Sequence, residues 1–179
     1  MTQTASHTAN KLAVHMDPAH SQITPFLWFN DKGEEAISFY TSIFPDSRVL
    51  GMQRYGEGAP FPKGTMMSAT FVLAGRSFMA LNGGPLYSFT PAISLLVHCE
   101  TQDEVDTLWE RLTSDGGEPG RCGWLKDRYG LSWQIIPTAL SRLLGDPDFG
   151  RVGRAMQAML SMNKIDIAAL QRAADGGAS

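Results

Sequence analysis

The chain has 179 residues, of which 43% are hydrophobic and 18% are charged, and its formal net charge is −3. This composition is that of a globular protein large enough for one buried core, and it lacks the basic face that nucleic-acid binding requires. No apolar run approaches the roughly 20 residues that span a bilayer, which argues against a membrane protein.

The first 20 residues carry no periodic hydrophobic pattern, and we expect a disordered tail there. The tail has no apolar segment after a basic start, unlike a secretory signal. Its three histidines, at positions 7, 15 and 20, are not spaced as a metal motif. Cys99 and Cys122 are too few for a disulfide framework. We therefore expect a cytoplasmic protein with free thiols.

The same strand and helix unit occurs twice, about 70 residues apart. In each copy a short apolar strand precedes a helix with apolar residues at i, i+3, i+4 and i+7. The four pairs of helix residues, each at an offset of 69, are Ala36 and Val105, Phe39 and Leu108, Tyr40 and Trp109, and Ile43 and Leu112. Asp31-x-x-Glu34 and Thr101-x-x-Glu104 resemble capping boxes at the two helix starts. A duplicated unit predicts a pseudo-two-fold domain with its useful surface where the halves meet.

Each half continues with three further strands. In the first half the predicted elements are a helix at 33–44 and strands at 47–55, 66–74 and 76–82, with a loop at 56–64 and a tight turn at Ala74-Gly75. In the second half they are a helix at 102–114, a turn at 115–120, one or two short strands within 121–127, a turn at 127–130 and a last strand at 131–137. The sequence thus predicts an α+β fold with two β-α-β-β-β modules, at 21–85 and 91–137.

A helical extension without a counterpart in the first half follows at 138–174. The predicted helices span 138–144, 150–162 and 167–174, and Asp166 is placed to cap the last one. The middle helix has an apolar stripe of Ala155, Met156, Met159 and Leu160, followed by Met162. Such a stripe is typical of core packing, and the alternatives are a dimer contact or a lid over a ligand.

Four separated segments carry a family resemblance. They are Thr24-Pro-Phe-Leu-Trp-Phe, Ala80-Leu-Asn-Gly-Gly-Pro85, the run from Cys122 to Pro137, and Met162-x-Lys-Ile-Asp-Ile-Ala-Ala-Leu170. These segments resemble the PhnB-like family, also labelled 3-demethylubiquinone-9 3-methyltransferase-like, within the vicinal oxygen chelate (VOC) superfamily of glyoxalases, bleomycin-resistance proteins and extradiol dioxygenases. The resemblance runs from about residue 22 to 174. It implies a cupped, mostly antiparallel barrel of eight strands.

The resemblance also implies a divalent metal in the cup, held by His, Gln or Glu on the first and last strands of each module. Here those positions fall on Thr24 or Pro25, on Ala92 or Ser94, on the stretch Met79-Ala80-Leu81, and on Gln134. One amide among four positions does not supply the three or more donors that such a site needs. We therefore expect no metal ligands and no cofactor. His98 shares strand parity with Ser94 and lies near a strand end, where an exposed side chain is the simpler interpretation.

Alternation along the strands selects residues that face the cup. The predicted ligand-binding residues are Trp28, Asn30, Asn82, Trp124, Lys126 and Gln134. Trp28 and Trp124 offer rings for stacking on a planar ligand, and Lys126 offers a charge for an anion. The plainer alternatives are barrel packing for the tryptophans and a surface ion pair between Lys126 and its neighbour Asp127. Cys122 has no assigned basic neighbour that would make it a nucleophile.

Two functions from different classes remain. The first is metal-independent binding of a small, planar or anionic molecule between the modules, by a homodimer without nucleic-acid or membrane partners. The second is an enzyme, a lyase, isomerase or transferase, in which Lys126 and Gln134 are the catalytic candidates. S-adenosylmethionine chemistry is disfavoured, because no Gly-rich turn joins a strand to a following helix in a parallel unit.

Overall fold

The computed structural model describes residues 23–177, and the predicted tail at 1–20 lies outside them. The described chain forms two β-α-β-β-β modules and then three helices, which confirms the predicted order of elements. Within residues 23–177 no helix has the length and apolar character needed to cross a membrane.

The first module forms a four-stranded sheet with one helix. Its elements are β1 (Phe26–Phe29), α1 (Gly33–Ile43), β2 (Arg48–Arg54), β3 (Met66–Leu73) and β4 (Arg76–Asn82). The strand order is β1-β4-β3-β2, with β1 parallel to β4 and the other pairs antiparallel. Ala74 and Gly75 both have positive φ, at 45° and 76°, which gives β3 and β4 the tight hairpin turn expected from the sequence.

The second module repeats this topology. Its elements are β5 (Ser94–Cys99), α2 (Gln102–Thr113), β6 (Glu118–Pro119), β7 (Trp124–Lys126) and β8 (Ser132–Pro137). The order is β5-β8-β7-β6, again with only the first pair parallel. The two residues of β6 lie inside the segment expected to be a turn, so only β7 falls within 121–127.

The two predicted capping boxes differ in outcome. Thr101 caps α2 by accepting a hydrogen bond from the Glu104 backbone N–H at 3.2 Å, as expected. The prediction for α1 is wrong, because its N-cap is Lys32, whose side chain makes no capping bond. The first backbone N–H of α1, that of Gly33, donates instead to the Asn82 side chain at 2.8 Å. A residue 49 positions away in the chain thus replaces the local cap.

The C-terminal extension forms a small core of its own. Its helices are α3 (Thr138–Leu144), α4 (Phe149–Ser161) and α5 (Ile167–Ala174), and Asp166 caps α5 as predicted. The stripe on α4 is divided between core and surface: Met159 packs on the buried cluster around Ile165, whereas Met156 and Leu160 are exposed. The backbone N–H groups of Cys122 and Gly123 donate to carbonyls of residues 162 and 163, which fastens the extension to the second module.

The two sheets share one hydrophobic core through the sides that carry the helices. Phe44 at the end of α1 stacks on Trp133 of β8, with ring centroids 5.3 Å apart. The opposite faces, here called the outer faces, remain partly open, since Phe26 and Leu96 on them are about half exposed. Each sheet has four strands and the two are not hydrogen-bonded to each other, so the expected single eight-stranded barrel is not found. The modules pack through the sides that carry the helices, and no strand-to-strand hydrogen bonds join the two sheets of the described chain.

Candidate functional site

A cavity of about 580 Å³ opens where the end of β1 and the start of α1 meet the end of α2 and the β7–β8 turn. Both modules and the linker between them contribute to its wall, and we call it the junction cavity. Its lining residues are Trp28, Phe29, Asn30, Asp31, Lys32, Glu35, Tyr87, Ser88, Phe89, Asp115, Lys126, Arg128, Tyr129 and Gly130. Three residues predicted from the sequence, Trp28, Asn30 and Lys126, therefore meet at one cavity.

Trp28 forms a fixed aromatic wall of the cavity. Its indole N–H donates to the Gly84 carbonyl at 2.9 Å, and Tyr87 meets the ring edge-on at 5.1 Å. The ring lies so close to Gly83 that a Cβ there would approach it to 2.3 Å. Gly83 therefore leaves space for the indole, and the Gly84 carbonyl anchors it. A ring held this way is preorganised for stacking.

Lys126 lies at the cavity, and its ion-pair partner is not the one considered from the sequence. Its ammonium group pairs with Glu118 at 2.9 Å, and its side chain is 44% exposed. Asp127, the partner expected from the sequence, is buried and accepts its hydrogen bonds elsewhere. The reason is strand alternation, since adjacent residues at a strand end point to opposite faces of the sheet.

Arg128 is a third cation at the cavity, held against α1, and sequence reasoning did not select it. Its guanidinium lies 4.2 Å from the centroid of the Phe39 ring and pairs with Asp115 at 3.0 Å. Its Nε is buried and has no hydrogen-bond partner among the described residues. The sequence predicts the turn at 127–130 that contains Arg128. Its position against α1 follows only from the packing of the two modules.

Acidic groups balance these cations. Glu35 accepts hydrogen bonds from Lys32 at 3.0 Å and from the Tyr129 hydroxyl at 3.1 Å. Burial, followed by the charge of Glu35, raises the pKa of Tyr129 to about 12. The hydroxyl is therefore a hydrogen-bond donor at neutral pH. The wall as a whole combines five aromatic rings with three basic and three acidic side chains.

Beneath the cavity a buried carboxylate joins the two modules. Asp127 accepts hydrogen bonds from the Tyr40 hydroxyl at 2.7 Å and from the Trp133 indole at 2.8 Å. Its other oxygen accepts from the backbone N–H groups of residues 129 and 131. Burial raises the pKa of the Asp127 carboxyl, and the hydrogen bonds from Tyr40, Trp133 and the two backbone groups oppose that rise. The same burial, with the charge of Asp127, raises the pKa of Tyr40 well above 10.

The other predicted ligand-binding residues lie away from the junction cavity. Asn82 is buried, accepting from Gly33 and donating to the Met66 carbonyl at 3.1 Å, so both ends of its amide are used in the fold. Trp124 and Gln134 are paired neighbours on the outer face of the second sheet. The sequence predicts all six residues in one cup. In the structure three of them line the junction cavity, two lie outside it on the outer face, and Asn82 is in the core.

His98 and the cysteines make no cluster with these residues. His98 is exposed on the outer face, on the same side as Ser94 and Leu96. Cys99 is buried, and desolvation raises the pKa of its thiol to about 11, which leaves it protonated at neutral pH. Cys122 is partly buried.

The residues at the superfamily's metal positions do not fit a divalent metal. On the second module, Gln134 donates to the Ser94 hydroxyl at 2.8 Å, so these two polar groups bond each other. The positions on β4 offer only Met79, Ala80 and Leu81. Across residues 23–177, no group of three or more His, Cys, Asp or Glu side chains is placed to hold a metal ion.

Comparisons with known proteins give one family. The sequence model of the 3-demethylubiquinone-9 3-methyltransferase family matches residues 21–136. The match ends at the last strand, so the resemblance of the C-terminal extension stays a prediction. No curated protein matches the chain.

Two solved structures have the same fold over the two modules. A PhnB protein from Bacillus cereus is 40% identical, with a TM-score of 0.59, and the match covers 65% of this chain and 99% of that one. Protein PA1353 from Pseudomonas aeruginosa is 24% identical, with a TM-score of 0.55, and the match covers 65% of this chain and 97% of that one. Both relatives are matched over nearly their full length, so about a third of this chain has no counterpart in them.

Proposed function

Because the chain belongs to the 3-demethylubiquinone-9 3-methyltransferase family, the PhnB-like family of the VOC superfamily, we propose that it binds a small, planar organic anion in the junction cavity. The binding is independent of the metal that the superfamily uses. The proposal concerns binding of the anion, and each module supplies some of the side chains that would contact it.

The observation that carries the proposal is the juxtaposition of a fixed indole and a stacked guanidinium on one cavity. Trp28 comes from the first module and Arg128 from the second. The volume of about 580 Å³ lies within the usual range for small-molecule sites, which combine aromatic walls with a few polar groups. A planar guanidinium forms paired hydrogen bonds with a carboxylate, whereas an ammonium acts as a point charge.

An incoming anion competes with a weak interaction at Arg128. Asp115, its present partner, is 71% exposed, and ion pairs of this kind contribute about 0–1 kcal/mol. The buried Nε of Arg128 has no hydrogen-bond partner within residues 23–177. A movement of the side chain that brings Nε to an acceptor on the ligand would therefore break no existing bond of this atom. Lys126 adds positive charge at the rim, and Asn30 adds an amide beside Trp28.

The test is a calorimetric titration with 1-naphthoate as the probe, a planar ring bearing one carboxylate. Trp28→Ala is expected to weaken binding about tenfold or more, as for other aromatic stacking contacts of roughly 1–3 kcal/mol. Arg128→Lys should weaken it too, because the charge is kept but the planar fork is lost. Trp124→Ala, on the outer face, is the matched control and should bind as the wild type does. Equal affinities for all three variants would reject the junction cavity as the site.

The second proposal is that the protein is an enzyme. Its catalytic candidates, Lys126 and Gln134, are each bonded to a neighbour, Glu118 and Ser94, and only Lys126 lines the junction cavity. Transfer of a methyl group, which the family's label suggests, would need a site for the methyl donor. The four-stranded sheets of residues 23–177 contain no doubly wound parallel unit with a Gly-rich turn of that kind.

We also propose that the protein forms a homodimer through its outer faces. Phe26 on the first sheet and Leu96 on the second are about half exposed, and the opposite faces of their strands are buried in β1 and buried or partly buried in β5. Apolar side chains grouped on an open sheet face are typical of an interface between subunits. A second copy would cover them, and Trp124 and Gln134 would then lie at the subunit boundary.

A further inference from the structure

A second cleft, of about 440 Å³, lies at the other end of α1. It is bounded by the end of α1, the end of β5, the start of α2 and the β3–β4 turn. Its floor is formed by Ile43, Phe44, Val97 and Leu108, and Asp103 and Glu104 stand at its rim. None of the residues discussed under the proposed function lines it.

The second cleft and the junction cavity are built from corresponding elements with the roles of the modules exchanged. The junction cavity uses the end of β1, the start of α1, the end of α2 and the β7–β8 turn. The second cleft uses the equivalent parts of the other module in each case. Local backbone geometry agrees: Asp46 after α1 and Asp115 after α2 have φ of 50° and 52°, and Gly75 and Gly130 in the two turns have φ of 76° and 88°. The internal duplication therefore gives the second cleft the same backbone arrangement as the junction cavity.

The chemistry of the two clefts differs although the frame is shared. Lys32, Lys126 and Arg128 line the junction cavity, whereas no Lys or Arg is among the residues that line the second cleft. Glu104 already accepts a hydrogen bond from the backbone N–H of residue 100 at 2.6 Å. Asp103 is exposed, and its carboxylate accepts no hydrogen bond in the described part of the chain. The free charge at this cleft is thus negative.

An adjoining hollow extends the apolar surface. It has a volume of about 320 Å³ and shares Phe44, Ala74, Val97 and His98 with the second cleft. Arg76 lines this hollow and does not line the second cleft. A ligand that fills the second cleft would therefore meet carboxylates at one end and a mainly apolar wall elsewhere, with His98 and Thr107 as its other polar side chains.

We propose that the second cleft is a separate binding site for a small apolar molecule that carries a protonated amine. The apolar body lies against Phe44, Val97 and Leu108, and the amine lies beside Asp103. Removal of apolar surface from water supplies most of the affinity. The exposed carboxylate contributes little to affinity and sets the preferred sign of the ligand's charge. This site does not depend on the proposed function of the junction cavity.

The test uses 1-naphthylmethylamine, which is protonated at pH 7, as the probe. Titration of the full-length chain is followed by amide chemical shifts and by calorimetry. Saturable binding with shifts at Ala74, Val97 and Thr107 is expected. Ala74→Lys places a long cationic side chain at the rim and should weaken binding at least tenfold, because Ala74 is exposed and its substitution leaves the core intact. Asp103→Asn should weaken binding by about two- to fivefold.

The matched control is Ala92→Lys, which adds the same charge at an exposed position outside the cleft. It should bind the probe as the wild type does. The proposal is overturned if the probe does not bind at millimolar concentration, if its shifts map to the junction cavity, or if Ala74→Lys and Ala92→Lys bind equally well. A failure of 1-naphthoate to bind at Trp28 would reject the proposed function and leave this result unaffected.

Discussion

The Tyr40 hydroxyl donates a hydrogen bond of 2.7 Å to the Asp127 carboxylate across the boundary between the two modules. Both side chains are buried, and Trp133 donates to the same carboxylate oxygen at 2.8 Å. This contact ties α1 of the first module to the β7–β8 turn of the second. Since that turn carries Arg128 and Tyr129, the contact also fixes one wall of the junction cavity.

We predict that Asp127→Asn destabilises the fold by about 3 kcal/mol. The carboxylate accepts on both oxygens, and Asn can accept on one side only. Its N–H groups would face either the Trp133 indole N–H or the backbone donors of residues 129 and 131. Urea denaturation gives the free energy of unfolding. Asp31→Asn, at an exposed position, is the control and should change it by less than about 0.5 kcal/mol. Similar values for the two variants would show that the buried contact does not join the modules.

We predict that stability falls as the pH rises above about 10. In the unfolded chain tyrosines ionise near pH 10, while in the fold the pKa of Tyr129 is raised to about 12 and that of Tyr40 is raised well above 10. The folded state then binds more protons than the unfolded state, so the free energy of unfolding decreases with pH in this range. Tyr40→Phe should be less stable at pH 7 but lose less stability between pH 10 and 12. A parallel decline in wild type and variant would contradict the assigned shift.

Asn82→Ala is predicted to destabilise the protein by about 1–3 kcal/mol. The change removes the hydrogen-bond partner of two buried backbone groups, the Gly33 N–H and the Met66 carbonyl. Thermal and urea unfolding followed by circular dichroism measure the loss. Asn30→Ala is the comparison, since Asn30 is exposed, and it should stay within about 0.5 kcal/mol of wild type. If the two alanine variants were equally stable, the role of Asn82 as the cap of α1 would be refuted.

We predict that light scattering at micromolar concentration gives twice the chain mass of 19.5 kDa. Leu96→Glu places a charge on the outer face of the second sheet and should produce monomers, because an unpaired charge is costly in an apolar interface. Leu86→Glu, at a loop position that is 72% exposed, should remain dimeric. A wild type that runs at the monomer mass would reject the homodimer.

The fold was predictable because local signals agree with one another along the chain. The i, i+3, i+4, i+7 pattern defines α1 and α2 to within one residue at their ends, and Ala74-Gly75 defines the hairpin. The arrangement of the modules was not predictable in the same way. It depends on contacts such as Phe44 with Trp133, which join residues 89 positions apart, and no periodicity reports them.

The candidate site was predictable in part for the same reason. Strand parity correctly identified which side of β1 and β8 each residue occupies, so Trp28 and Gln134 face away from the helices. Parity does not say which residues of two such faces meet: Trp28 and Lys126 both line the junction cavity, whereas Gln134, on the same face as Lys126, does not. Arg128 was missed because the alternation of side chains along a strand does not apply to a turn residue. Its position against α1 follows only from the packing of the modules.

The indole N–H signals of the four tryptophans give the most direct test of the central claim, that a planar anion binds in the junction cavity. On titration with 1-naphthoate we predict a saturable shift of the Trp28 signal, while the buried Trp133 and the outer-face Trp124 stay in place. A shift of the Trp124 signal with Trp28 unchanged would place the site on the outer face and contradict the account.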